Sequence, residues 1–234
     1  MVRFIVDTHV HVYPMHSIDS LLTAAYSNLD RLDPAAAKVL FVLETDLTAS
    51  NLAPNHWLLE ELDAPMVRAT SKRWEAQMLL VLGTQYTTKE GLEFVHLGPA
   101  VFEQNLPIRY YVDNFSPCQM AYVPWGFGKW WGERKSLIAD LPKYTMFGDS
   151  FGRPVDLDGK TVDRLRIKHG PLLSGTDPLP LAGEEKYVGR FASSVEASSY
   201  VALLERDTWQ QAACVGKRSR LAPAAWRQIR MNLC

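Results

Sequence analysis

The chain of 234 residues is 47% hydrophobic and 22% charged, which suits one sizeable domain with a buried core and no need to divide. Its formal net charge of −1 gives no global attraction for nucleic acid or an acidic membrane surface, and no run of about 18 uncharged apolar residues offers a membrane span. The expectation is a cytoplasmic protein with a small-molecule substrate, no nucleic acid and no membrane, the option of a homo-oligomer remaining open.

In chain order, β-branched and apolar runs predict strands at 3–12, 38–43, 66–70, 77–81, 93–97, 119–123, 144–147 and 172–174. Helical patterning covers 17–32, 50–62, 129–139 and 161–169, with a longer closing helix at 195–214. Ser17 is a plausible N-cap for the first helix, and Asp33-Pro34 marks its end. The βα alternation predicts an α/β fold: one TIM-type barrel over 1–234, with C-terminal helices from about 195. Cys118, Cys214 and Cys234 are widely separated without CxxC spacing, so neither a disulfide framework nor a thiolate zinc site is indicated.

The first strand carries the chemistry. In a regular strand Ile5, Asp7, His9 and His11 share one face. Two imidazoles two residues apart at the C-terminal end of a parallel strand can chelate one divalent ion, and that end is where α/β barrels place their sites. Asp7 on the same face would orient an imidazole or complete a hydrogen-bond network.

Beyond D-T-H-V-H at 7–11, the segments LVLGTQYTTKEGLEFVHLG at 80–98 and LLSGTDPLPL at 172–181 extend a pattern. With them the chain resembles the PHP (polymerase and histidinol phosphatase) domain and the wider amidohydrolase barrels. The resemblance implies a barrel, in the PHP case a distorted seven-stranded one, and metal-dependent hydrolysis. Phosphoesters are implied first and amides or lactones second, with decarboxylation known among related barrels. The departures are specific. Gln85 stands where the pattern has a metal-binding Glu, Tyr122-Val123-Pro124-Trp125 where it has His-Pro, and Asp177-Pro178-Leu179 where it has Asp-x-His. A trinuclear site is therefore not carried over. The remaining ligands, His9, His11 and Asp177 with Glu93 or His96, would hold one or two ions, zinc foremost and manganese or iron as alternatives.

Glu93 opens a strand as a replacement carboxylate or a solvated edge residue, and His96 lies on the opposite face, so both are not expected to be ligands. Asp177 would emerge at the site end of a late strand, to bind metal and accept a proton from water. Asp149 and Arg153 follow another strand, either as a second proton shuttle and an anion grip or as a plain ion pair. In the loop 124–135, Trp125 walls a pocket or covers core, while Lys129 or Arg134 would neutralise an anionic substrate. His16, His56 and His169 read as structural, and the basic stretch from Lys217 to Arg230 as a solvated face. The rival to an enzyme is a degenerate barrel kept as a binding or accessory protein.

Overall fold

Strand periodicity organises the molecule into an inner and an outer apolar layer. The computed structural model describes residues 1–43, 54–63, 65–116, 118–154 and 159–218. Among these the strands are β1 (Val2–Val10), β2 (Ala37–Val42), β3 (Trp57–Glu61), β4 (Met66–Ser71), β5 (Gln77–Thr87), β6 (Glu93–Leu97), β7 (Ala121–Val123), β8 (Met146–Ser150), β9 (Leu173–Gly175), β10 (Phe191–Ala197) and β11 (Ala213–Gly216). The α-helices are α1 (Ile18–Leu32), α2 (Ile108–Asn114), α3 (Glu133–Ala139) and α4 (Gly159–His169). The strands join in the order β11-β10-β1-β2-β5-β6-β7-β8-β9, with the β3-β4 hairpin attached to β5.

This path curls into a nearly closed barrel-shaped sheet. β9 returns to β1 and β10: the Asp177 amide donates to the His9 carbonyl at 2.7 Å, and the Ser174 amide to Ser193 Oγ at 2.8 Å. Phe4, Val6, Phe41, Val81, Val95, Tyr122 and Leu173 fill the inside. Outside, α1 lays Leu21, Leu22 and Leu29 over Ile5, Leu40 and Leu80, while the second outer layer packs Tyr111, Trp130 and Val162 over Phe94, Val123 and Phe147. Ser17 caps α1 as expected, its Oγ accepting from the Ser20 amide at 3.3 Å.

The regular TIM-type barrel needs correction. β6 runs antiparallel to both β5 and β7, and β10 antiparallel to β1. Residues 88–92 are too few for the crossover of a dozen or more residues that parallel neighbours require, so β5 and β6 form a hairpin. The helix expected at 50–62 is, in its described part, β3 at Trp57–Glu61. The closing helix expected at 195–214 is instead the end of β10, two 3₁₀ turns (Val201–Leu204 and Arg206–Gln211) and β11. Each of the eight expected strands coincides with an observed one, whereas α2 was not anticipated. Residues 50–53, Arg220, Arg227, Arg230 and Cys234 lie outside the described residues.

One irregularity positions the site. Asp7 pairs with Leu40 but Val10 with Val42, so β1 carries an extra residue between them. The bulge inverts the facing. Val10 joins Ile5 in the outer layer, while Asp7, before the bulge, keeps the outer face of Ile5 and reaches Gly189, which lies against Ala25 of α1. His9 and His11 turn inward, where the His9 ring lies 6.2 Å from that of Tyr122. The common face expected for Asp7 and the histidines is thus lost.

Candidate metal centre

His9 and His11 meet Asp177, which follows β9, at the C-terminal ends of β1 and β9, and one ligand atom from each lies within 4.8 Å of the others. His9 Nε2 is 3.1 Å from His11 Nε2 and 3.8 Å from Asp177 Oδ1. A tetrahedral ion with ligands at about 2.1 Å separates them by about 3.4 Å, a value these spacings bracket. Both imidazoles are buried, while the Asp177 side chain is 29% exposed and gives the cluster its face toward solvent.

The close approach of β9 to β1 depends on Gly175. A Cβ there would stand 2.5 Å from His9 Cβ and 2.6 Å from the His9 amide nitrogen, so a larger residue would push the strands apart. Two residues on, Asp177 has a φ of +50°, a left-handed conformation that turns its carboxylate back toward the histidines. Asp7 secures the same junction from the other side. Its carboxylate accepts from the amides of Thr176 at 2.7 Å, Gly189 at 2.8 Å and His9 at 3.3 Å, and from Thr176 Oγ1. Asp7 therefore ties backbone together rather than orienting an imidazole. Burial raises its pKa to about 7 in spite of these donors.

Burial also pushes the His9 pKa down to about 3, helped by the neighbouring His11. Its neutral imidazole is the form that ligates a metal. Lys129 pushes in the same direction and Glu93 opposes it, which places this ion pair within electrostatic reach of the cluster. The Gln85 side chain faces His9 as well, and its buried Oε1 has no hydrogen-bond partner among the described residues. From β7, the Tyr122 hydroxyl donates to the Thr8 carbonyl, and its oxygen lies 3.4 Å from His9 Nδ1. Burial holds the Tyr122 phenol well above its ordinary pKa.

The other expected site residues divide. Glu93 lies outside the ligand cluster and pairs with Lys129. His96 points into the outer layer, its Nε2 3.1 Å from Tyr86 Oη and its ring stacked on that of Tyr86, so its face is opposite to that of Glu93, as expected. Asp149 is buried between Arg153, which donates through Nε at 2.7 Å and Nη2 at 3.1 Å, and Arg218. The ion-pair reading describes Asp149 and Arg153. Trp125 is buried in the outer layer beside Trp130, whose Nε1 donates to the Pro124 carbonyl at 3.1 Å. Arg134 lays its guanidinium against Gly91. His16 bridges to the carbonyls of Leu179 and Leu181 and so steadies the turn after Asp177. Sequence reasoning missed Tyr122 and Gly175 as builders of the site. The signal for Tyr122 was a polar aromatic beside inward positions of a barrel strand.

No protein-family model and no curated protein matches the chain. Its fold is similar to the crystal structure of PsfC from Pseudomonas syringae PB-5123, with a TM-score of 0.61 and 13% identity over 100% of this chain and 98% of that one. A likeness at this identity concerns the fold alone. Among the described residues, no helix is long and apolar enough to cross a membrane.

Proposed function

We propose that this protein is a metal-dependent hydrolase of a small anionic substrate, a phosphoester first, with His9, His11 and Asp177 holding one divalent cation, zinc foremost. The observation that carries the reading is the convergence of two imidazole nitrogens and a carboxylate within 4.8 Å at the site end of a barrel-shaped sheet. A cation there supplies Lewis acidity that brings the ionisation of water toward neutrality. Asp177, the solvent-facing member, accepts the proton released by the attacking water. Lys129 is the cation whose charge acts on His9, and it is placed to draw an anionic oxygen toward the cluster while Glu93 holds it. We take the nearly closed path from β1 through β2, β5, β6, β7 and β8 to β9, with β6 reversed and β10 and β11 added beyond β1, as a variant of the distorted barrel that the PHP resemblance implies.

Metal analysis tests this directly. After repletion with zinc, manganese or iron, about one equivalent of metal is expected in the wild-type protein and none in His9→Ala or His11→Ala variants that keep their circular dichroism. A wild-type protein that stays metal-free after repletion sinks the proposal. A panel of phosphate esters, amides and lactones then reads the reaction. Turnover of lactones or amides alone moves the assignment toward the amidohydrolase type. Bound metal without turnover favours the accessory-protein reading, which the neutral Gln85 in place of a carboxylate also supports.

A further inference from the structure

We propose that Tyr122 is a positioning residue that sets the tautomer of His9, keeping the ring proton on Nδ1 and leaving the Nε2 lone pair facing His11 and Asp177. This deepens the metal-site reading and rests on it for its purpose, though not for its test.

The argument follows the hydrogens. A phenol carries one, and the Thr8 carbonyl is purely an acceptor, so the Tyr122 hydrogen is committed to Thr8. The phenol oxygen then offers only lone pairs to His9 Nδ1, 3.4 Å away. A neutral His9 has two ways to carry its single proton. On Nδ1 it donates to Tyr122. On Nε2 it leaves the Nδ1 lone pair facing the phenol lone pairs in a buried place, a repulsive and unsatisfied arrangement. Tyr122, 3.4 Å from Nδ1, thus favours the Nδ1–H form over the alternative that the Asp177 carboxylate, 3.8 Å from Nε2, would draw, with the Gln85 side chain also facing the ring. The 3.1 Å contact between the two Nε2 atoms must then take its hydrogen from His11, so in the metal-free protein His11 carries its proton on Nε2. The device is a hydrogen-bond relay from the Thr8 carbonyl through Tyr122 to His9. It does for this imidazole what a carboxylate or carbonyl does for many metal-bound histidines, fixing which nitrogen faces the ion.

A mere strut between β7 and β1 would use the same Tyr122–Thr8 bond, so the test must read the ring proton itself. In metal-stripped, histidine-labelled protein at pH 7.5, two-bond ¹⁵N–¹H correlation spectra are expected to show Nδ1–H for His9 and Nε2–H for His11. In Tyr122→Phe, with folding checked by circular dichroism, His9 is expected to shift toward Nε2–H and the zinc dissociation constant to rise by about tenfold or more. An Nε2–H pattern for His9 in the wild type overturns the proposal. So does an unchanged His9 tautomer in Tyr122→Phe, even where zinc binding weakens. If the variant does not fold, the wild-type spectrum decides by itself. Because the tautomer is read without metal, a wild type that shows Nδ1–H yet binds no zinc counts against the metal site alone.

Discussion

Two neighbouring strand ends, those of β8 and β9, each present an aspartate, and the protein treats the two carboxylates in opposite ways. Asp149 on β8 is buried and takes guanidinium groups on both oxygens, from Arg153 and from Arg218. Asp177 after β9 is partly exposed and faces a neutral imidazole at 3.8 Å. A carboxylate already neutralised by cations of its own chain is a structural joint, whereas one set beside two imidazoles fits the exchangeable cation of the proposed function. The largest expected effect tests that contrast. Asp149→Ala strands a buried guanidinium and should lower the unfolding free energy by about 3–5 kcal/mol. Asp177→Asn keeps a residue type that tolerates the left-handed backbone and should cost the metal-free protein less than about 1 kcal/mol while abolishing metal binding. Urea unfolding of the two stripped variants reads the difference, and a costlier Asp177→Asn breaks the comparison.

The junction with β1 offers the next test. Gly175→Ala drives a methyl group into the His9 backbone and Cβ, so separating β9 from β1 should cost about 1–3 kcal/mol and weaken zinc binding together. Gly159, at the start of α4, is the control, because a Cβ there would meet nothing within 4 Å among the described residues. Its replacement by alanine should not lower the urea midpoint and should leave the zinc titration unmoved. Equal zinc affinity in Gly175→Ala and wild type would mean that the closeness of β9 to β1 does not shape the ligand cluster.

How much of this was legible in the sequence varies with the range of the interaction. The strands filled by β-branched and apolar runs were readable, because alternation reports burial locally. β3 was not: Trp57-Leu58-Leu59-Glu60-Glu61 has good helix formers, and only pairing with β4 makes it a strand. β10 and β11 were hidden in the same way, β10 being drawn into the sheet by β1 and β11 by β10. In the site, His9, His11 and Asp177 were named from strand-end placement, and the structure brings them together. The bulge that turns His9 inward, away from the outer face that Asp7 keeps with Ile5, leaves no local signature, since it is a mismatch in the pairing of β1 with β2. Nor does the sequence show that Lys129 folds back onto Glu93, or that Tyr122 reaches Thr8.

The smallest effect separates the two buried histidine environments by acid. His96 is held on the outer face between Tyr86 and the Leu97 carbonyl, and burial lowers its pKa from the ordinary 6.5. The unfolded chain therefore takes up a proton first as the pH falls. Stability from this residue is fully present above about pH 6.5 and is lost as the pH drops toward the lowered folded value. His96→Phe should then lose less stability than wild type between pH 7.5 and 5, by less than about 1 kcal/mol. The comparison uses urea midpoints of metal-stripped protein. Zinc affinity at neutral pH should be the same in both, because His96 points away from the cluster. A weakened zinc titration in His96→Phe would show that the outer aromatic layer and the ligand cluster are coupled through β6, and the division between structural and ligating histidines would have to be redrawn.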